Sequence, residues 1–293
     1  MEVLRPDDAP AFLRLAGPLL GRDEARNQLP LGIAGTLVEH RDTFDVVRFW
    51  VVRDDREPVA AALRTEPYDL VLADPDTEAA LEVLLDAVVA DDPASPGVVG
   101  NVPHVRRAAE TMAAATRREP EPVLSQGVYG LTSVAEVPRA SGSSRAAGAG
   151  DGGLLAAWLR AFLEEAVPDP ETELTRIERT VRTRLEGDDA GFWLWEDRGE
   201  PVSLSGYGGP TPTGIRVGPV YTPPEHRGRG YATTLVADQS RWLLQSGHRA
   251  CFLFTDLTNP TSNRIYTRIG YERVCDSAVY RFRGGRTTAR SAS

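Results

Sequence analysis

The chain has 293 residues, of which 41% are hydrophobic, and this length favours two domains with ordinary buried cores. Its formal net charge of −9 argues against nucleic acid as the main partner, because phosphate binding needs clustered cations. The same charge makes a cationic, amine-bearing substrate easier to attract. All 33 basic residues are arginine, which excludes Schiff-base chemistry on a lysine.

The cysteines, histidines and N-terminus carry no metal, redox or targeting signal. Cys251 and Cys275 fall in predicted strands and are expected to be buried free thiols. The histidines show no metal-like clustering. The first residues lack a basic region followed by an apolar one, and no apolar run approaches the ~18 residues of a membrane span. We therefore expect a cytoplasmic protein without a metal site, a membrane or a nucleic acid partner.

The first half of the chain alternates strands and helices. Apolar runs and period-2 patterns indicate strands, and apolar residues at helical spacing indicate helices. The strands are expected at Asp45–Arg53, Pro58–Arg64, Asp69–Leu72, Val98–Val102 and Gln126–Ser133, and the helices at Thr77–Ala90 and His104–Arg118.

A stretch of glycine and other small residues divides the chain nearly in half. Its composition is typical of flexible linkers, so we expect a linker at 139–153 between a first domain at 1–138 and a second at 154–283. The polar residues 284–293 are expected to form a disordered tail.

The second half repeats the order of the first. Helices are expected at Leu154–Val167, Glu171–Leu185, Tyr231–Gln245 and Pro260–Ile269, and strands at Phe192–Glu196, Pro201–Gly206, Ile215–Tyr221, Ala250–Thr255, Tyr271–Cys275 and Ala278–Phe282. The strand Ala250–Thr255 is continuously apolar, which is typical of a central strand. The common order of elements suggests tandem copies of one fold, although no repeat is visible at the level of individual residues.

A glycine-rich turn connects a strand to a helix in the second half. After Ile215–Tyr221 comes Arg227-Gly228-Arg229-Gly230-Tyr231-Ala232, at the start of the predicted helix. Main-chain N–H groups at a helix N-terminus bind anions, and glycine lets the backbone come close to phosphate. The alternative is a plain tight turn with solvated arginines. A P-loop is excluded because it needs a lysine, and a dinucleotide fingerprint fits poorly because Thr233 replaces its third glycine.

A polar residue and a phenol lie on one face of the next predicted helix. Asn259, Ser262 and Tyr266 are offset by three and seven residues, which places them together at 3.6 residues per turn. The simpler interpretations are an N-cap at Asn259 ahead of Pro260 and an amphipathic tyrosine at the edge of the core.

These residues carry a resemblance to a known family. The stretch from Val217 to Tyr271 resembles the acetyl-CoA-binding core of the GCN5-related N-acetyltransferase (GNAT) superfamily. Its Arg/Gln-x-x-Gly-x-Gly/Ala motif stands here as Arg227–Ala232, and its Asn and Tyr motif as Asn259 and Tyr266 before Gly270-Tyr271. The resemblance covers about residues 154–283 and implies an α/β protein of two GNAT-like domains. Each would have a mixed, mostly antiparallel twisted sheet flanked by helices.

The resemblance assigns roles to individual residues. Main-chain groups of Val220, Tyr221 and Thr222 would pair with the pantetheine arm of acetyl-CoA like an added strand. Tyr266 would be the catalytic acid that protonates the departing CoA thiolate. The pyrophosphate and the cofactor arm would be held by Arg227, Gly228, Arg229, Gly230, Tyr231, Ala232, Thr233, Asn259 and Ser262.

The general base is not evident from the sequence. An amine with a pKa of ~10.4 must lose a proton before it attacks, which costs roughly 4–5 kcal/mol at pH 7. Many family members use a strand carboxylate, but Ile215–Tyr221 has none. Asp256 and Glu196, each acting through a water molecule, are the candidates, and a cap or a solvated surface position is the alternative for both. The other possibility is that the substrate amine arrives partly neutral. His226, beside the turn, fits a solvated or phosphate-neighbouring histidine better than a catalytic one.

The resemblance implies an enzyme whose first half is a degenerate copy. Residues Ala73–Glu78 are acidic where the second half has its phosphate turn, so we expect no CoA binding there. This half would complete the sheet, cover the acceptor cleft or contact the substrate. The expected activity is direct transfer of acetyl from acetyl-CoA to the amine of a small molecule, protein or peptide. The alternatives are a non-catalytic acyl-CoA-binding or regulatory module, and an enzyme acting on a larger acyl-CoA.

Overall fold

A computed structural model of the chain describes residues 1–167 and 171–284. These residues form two compact units: one contains 1–22, 40–125 and 276–284, and the other contains 23–39 and 126–275 within the described ranges. The domain boundaries expected from the sequence stay a prediction, and the expected tail lies, apart from Gly284, outside the described residues. In the described part of the chain, no helix is long and apolar enough to cross a membrane.

The chain passes twice through the same order of elements: a strand, helices, three strands, a helix, a strand, a helix and a last strand. The first pass comprises β1 (Glu2–Leu4), α1 (Ala9–Leu20), α2 (Gln28–Glu39), β2 (Val47–Asp54), β3 (Glu57–Thr65), β4 (Leu70–Leu72), α3 (Glu78–Asp91), β5 (Gly97–Asn101), α4 (His104–Thr116) and β6 (Glu119–Leu131). The second comprises β7 (Ser143–Ala146), α5 (Gly152–Ala166), the short α6 (Glu171–Leu174), α7 (Ile177–Glu186), β8 (Gly191–Asp197), β9 (Glu200–Pro210), β10 (Gly214–Tyr221), α8 (Tyr231–Gln245), β11 (Ala250–Asp256), α9 (Pro260–Ile269) and β12 (Glu272–Arg283).

Strand pairing is also the same in the two passes. The first four strands of each pass pair antiparallel in chain order, and the fourth then pairs parallel with the fifth. A parallel pair needs a crossover, which α3 and α8 supply. The α/β fold with a mixed, mostly antiparallel sheet and the tandem repetition are therefore confirmed.

The last strand of each pass pairs with the other pass. Residues Gln126–Leu131 of β6 run antiparallel to β11, and residues Ser277–Arg281 of β12 run antiparallel to β5. Helix α2 likewise belongs to the unit that contains the second pass. The sequence pattern predicted strands in both places, but Tyr271–Cys275 and Ala278–Phe282 form the single strand β12, and β6 begins earlier, at Glu119. The pattern did not reveal the exchange, because periodicity carries no information about pairing partners.

Helices cover both faces of the sheet in the second unit. Val236 of α8 and Ile269 of α9 pack with Ile215 and Leu253 on one face. On the other face, α5 and α7 pack with a cluster that includes Phe192. Strand β11 lies between β6 and β10, so the expectation of a central strand is correct.

The segment expected to be a flexible linker is structured. Ser143–Ala146 forms β7 and pairs with Trp193–Glu196 of β8. Arg139 makes two hydrogen bonds to Asp238, and Arg145 bonds to Asp151. Composition alone favoured a linker, but the polar residues between the glycines find partners that hold this segment as an edge strand.

Close backbone contact joins α2 to β9. A Cβ atom on Gly32 would lie 2.8 Å from the carbonyl oxygen of Gly209, and one on Gly35 would lie 2.9 Å from that of Pro210. Real Cβ atoms do not approach a backbone oxygen so closely, so glycine at both positions sets the distance between this helix and the strand.

We expect Gly32→Ala to lower the melting temperature, because the added methyl meets backbone that cannot rotate away, at a cost of about 1–3 kcal/mol. The matched control is Gly153→Ala in the first turn of α5, where a Cβ meets nothing within 4 Å and helix propensity improves. Thermal denaturation of both variants checks this, and equal melting temperatures would contradict the close contact.

Candidate functional site

The parallel strands β10 and β11 separate after three paired residues. Gly214, Ile215 and Arg216 pair with Ala250, Cys251 and Phe252, and beyond them the two strands pair only with their outer neighbours. Strand β10 continues along β9 to Tyr221, and β11 continues along β6 to Asp256. The β10–β11 opening, between Val217–Tyr221 and Leu253–Asp256, therefore presents main-chain groups that can bind an extended ligand.

A β-bulge bends β10 beside this opening. Val217 pairs with Tyr207 and Val220 with Ser205, so one residue more stands on β10 than on β9. Gly218 lies in the bulge with φ at 137°, a conformation that favours glycine. The bulge re-aims the end of the strand, where Val220, Tyr221 and Thr222 were predicted to bind the pantetheine arm.

The turn after β10 ends in a helix without a side-chain cap. Gly228 and Gly230 have φ of 77° and 83°, and Gly230 is the N-cap of the 15-residue α8. The first N–H groups of a helix have no partner within it, and here the cap residue has no side chain to accept from them. With the helix dipole, these donors form an anion site at the end of β10.

The two arginines of the turn bond to the protein. Arg227 donates from Nε to the carbonyl oxygen of Thr222 at 2.8 Å and from Nη2 to Glu165 Oε2 at 2.6 Å. The Tyr221 hydroxyl donates to the other Glu165 oxygen at 3.3 Å. Arg229 donates to the carbonyl oxygen of Glu225 at 3.2 Å. Arg227 thus ties the turn to α5, which the prediction of a phosphate ligand did not include.

Side chains of the first turn of α8 anchor the helix instead of facing a ligand. Tyr231 is buried and donates to Asp197 Oδ2 at 2.7 Å, and Thr233 is also buried. Thr234 accepts from the main-chain N–H of Ala140 at 3.1 Å. Any contribution of Tyr231 or Thr233 to cofactor binding is therefore made by the main chain.

Helix α9 begins at the C-terminal end of β11. Asn259 is its N-cap and accepts from the Ser262 N–H at 3.1 Å, so the simpler interpretation of Asn259 holds. Asn263 donates to the carbonyl oxygen of Asp256 at 3.1 Å. Because β10 and β11 are parallel, this helix start and the Arg227–Ala232 turn lie at the same edge of the sheet.

Tyr266 is buried, and its hydroxyl makes no hydrogen bond to the described residues. Burial raises the pKa of this phenol to about 12. Its ring packs edge-on against Tyr271 at 5.9 Å, and the Tyr271 hydroxyl shares a 2.8 Å hydrogen bond with Ser240. Tyr266 is therefore a protonated donor held in a fixed position at neutral pH.

The two candidate bases differ in position. Asp256 ends β11 at the edge of the opening, and its Oδ1 accepts from the N–H and the hydroxyl of Thr258 at 2.7 and 2.8 Å. Glu196 accepts from Arg145 Nε at 2.7 Å on β8, which β9 separates from β10. Of the two, only Asp256 lies beside the opening.

Sequence reasoning missed several polar residues around the opening. Glu165 binds the turn, and Ser203 donates to the carbonyl oxygen of Tyr221 at 3.2 Å. Arg184 donates to the carbonyl oxygen of Gly218 in the bulge at 2.9 Å. Arg216 is the last residue of β10 that pairs with β11. The one signal of these residues in the sequence was Arg216, an arginine inside an otherwise apolar strand. Among the described residues, no group of His, Cys, Asp and Glu could hold a metal ion.

Comparisons with known proteins agree with this geometry. The acetyltransferase (GNAT) family model matches residues 154–271. No curated protein matches the sequence. A solved Drosophila protein is similar at 15% identity and a TM-score of 0.67, with 95% of this chain and 98% of that one covered.

Two further solved structures have a similar fold. A GCN5-related N-acetyltransferase from Sphaerobacter thermophilus has 17% identity and a TM-score of 0.59, with 97% and 96% covered. A tandem GNAT protein from the clavulanic acid biosynthesis pathway has 14% identity and a TM-score of 0.55, with 95% and 98% covered. Residues 154–271 of this chain are therefore a GNAT-family domain, within a fold shared with tandem GNAT proteins.

Proposed function

We propose that this protein is an N-acetyltransferase that moves acetyl from acetyl-CoA directly to an amine in a ternary complex. The observation that carries the proposal is the β10–β11 opening, which has uncapped helix donors at its edge. Such an opening fits a ligand with an extended amide-containing arm and a pyrophosphate at its end.

The cofactor would lie along the opening. Main-chain groups of Val220–Thr222 would pair with the pantetheine arm, and the N–H groups of Gly228–Thr233 would bind the pyrophosphate. Arg227 would act by fixing the turn through Glu165, and Arg229 would add positive charge. Asn259 and Ser262 would contact the arm from the start of α9. CoA carries four negative charges, so the positive end of the α8 dipole and the arginines of the turn favour its binding.

The chemistry needs one acid and one base. The amine nitrogen attacks the thioester carbon, and the tetrahedral intermediate then expels the CoA sulfur as the C–S bond breaks. Tyr266 donates its proton to that sulfur, and because burial raises the pKa of this phenol to about 12, the proton is present at neutral pH. The amine proton leaves through Asp256 by way of a water molecule, since Asp256 is the carboxylate beside the opening.

The first pass lacks the features of a CoA site. Thr77 caps α3 and accepts from the Ala80 N–H at 3.1 Å. The corresponding N–H group of α8 has no side-chain cap, so it is available to a ligand in α8 but not in α3. Asp76 and Glu78 place negative charge at the same helix end. A pyrophosphate would be repelled there, so this copy would serve as a degenerate, structural half of the protein.

A thiol-release assay tests the function. Acetyl-CoA is mixed with the protein and a panel of amine metabolites, antibiotics and peptides, and free CoA is measured over time. Amine-dependent release supports the proposal. Binding of acetyl-CoA without release from any amine would instead support a non-catalytic acyl-CoA-binding module.

We expect Tyr266→Phe to lower kcat by at least about tenfold with acetyl-CoA affinity nearly unchanged, because the departing thiolate loses its proton donor. The control is Tyr271→Phe, which removes the neighbouring phenol and its bond to Ser240. That variant should lose about 1 kcal/mol of stability but keep its kcat. Wild-type turnover in Tyr266→Phe would remove this residue from the mechanism.

We expect Gly230→Ala to weaken CoA binding by at least about tenfold, because a side chain at positive φ distorts the donors of the turn. Gly199→Ala is the matched control, since both glycines have φ of 83° and Gly199 lies in the β8–β9 turn. Calorimetric titration with CoA measures both. Equal affinities would show that the turn does not hold the cofactor.

A further inference from the structure

Two arginines of the second unit lack a carboxylate partner. Arg184 on α7 and Arg216 on β10 make no ion pair with any described residue, whereas the buried Arg64 pairs with Asp92 and the half-buried Arg145 pairs with Asp151 and Glu196. Burial lowers the pKa of both side chains to about 10, and for Arg184 the nearby charge of Arg216 contributes to that lowering. Two neighbouring cations that are partly removed from water destabilise a fold unless an anion joins them.

Their hydrogen bonds leave donors available. Arg184 uses Nη1 on the carbonyl oxygen of Gly218 at 2.9 Å, and its guanidinium lies over the Phe192 ring at 5.3 Å. Arg216 Nη1 is buried and has no hydrogen-bond partner among the described residues. A guanidinium carries five N–H donors, so the pair holds more donors than the surrounding protein accepts.

Glycines of β9 make the space for both guanidiniums. A Cβ atom on Gly206 would lie 2.7 Å from Arg184 Nη1, and one on Gly209 would lie 2.8 Å from Arg216 Nη2. Glycine inside a strand weakens it and commonly marks a place where something approaches closely. The Gly206-Tyr207-Gly208-Gly209 stretch is thus fitted to the two arginines.

The pair lies at the inner end of the β10–β11 opening. Arg216 is the last residue of β10 in register with β11, opposite Phe252. Arg184 holds Gly218 in the bulge, two residues before Val220. Both residues are half-buried, so part of each remains in contact with solvent. A group bound here would lie close to Val220, where the pantetheine arm of the cofactor is proposed to begin.

We infer that Arg184 and Arg216 bind a carboxylate of the acceptor, so that the substrate is an amine that also carries a carboxylate. This inference rests on the proposed acetyl transfer. A carboxylate accepts two parallel bonds from a guanidinium and supplies the missing negative charge. The carboxylate is not changed in the reaction. It orients the acceptor while the amine nitrogen forms the new bond to the acetyl group.

Matched acceptors test the inference. Glycine, β-alanine, γ-aminobutyrate and glutamate are compared with their primary amides, and with phosphoethanolamine, in the thiol-release assay. We expect kcat/KM to be at least about tenfold higher for acids than for their amides. Amides that react as well as the acids would overturn the inference, and so would a preference for phosphoethanolamine.

Variants of the pair give a second measurement. Arg216→Met should raise the acceptor KM at least about tenfold, leave the KM for acetyl-CoA unchanged, and keep or raise the melting temperature, because it removes an unpaired buried charge. Arg182→Met on the exposed side of α7 is the control and should change neither KM. Arg184→Lys, which keeps the charge, should fall between the wild type and Arg216→Met. Wild-type preference for acids in Arg216→Met would overturn the inference.

A binding readout separates this inference from the proposed function. The melting temperature is measured with each acid or amide in the presence of CoA. The carboxylate site is supported if only the acids raise the melting temperature and Arg216→Met abolishes this increase. If, in addition, no amine releases CoA, the proposed acetyl transfer is wrong but the carboxylate site still stands. Acetyl transfer to amines without any acid-specific shift or rate would keep the proposed function and overturn the site.

Discussion

The separation of two parallel strands is the constraint on which the rest of the candidate site depends. Buried main-chain N–H and C=O groups are nearly always paired, so strands that part inside a sheet need another partner. β10 and β11 part after Arg216 and Phe252, and each keeps its outer neighbour. The bulge at Gly218, the tie from Arg184 and the bond from Ser203 all act on the freed end of β10. They hold open a gap that ordinary strand pairing would close.

The local structure of the candidate site could be predicted from the sequence because it depends on short-range signals. The Arg227–Ala232 turn and the start of α9 depend on glycines and a cap residue that act within a few positions of themselves. Most strand and helix positions could also be predicted from local sequence, because the period of the apolar residues indicates which side of an element is buried. Tyr266 was selected by its spacing from Asn259, and the structure places it buried on α9.

What could not be predicted depends on residues far apart in the chain. The exchange of β6 and β12 is a choice of pairing partner, and both strands have the same kind of pattern whichever partner they take. Helices α1 and α2 were not predicted. The ion pair of Arg227 with Glu165 joins residues 62 positions apart. The linker was predicted from composition, and the partners of Arg139 and Arg145 overrode that tendency.

The two passes differ at the helix start where we propose the anion site of the second pass. Both have a helix after the fourth strand, and the helices differ at the cap: Thr77 accepts a hydrogen bond from α3, whereas Gly230 accepts none from α8 through a side chain. A threonine cap stabilises a helix by about 1 kcal/mol relative to alanine, and glycine at this position stabilises it slightly less. The glycine therefore costs α8 little, and it leaves the donors of the first turn to an external anion. In the first pass, which we propose to be structural, those donors have no such use, and a side-chain cap is the more stable solution for α3.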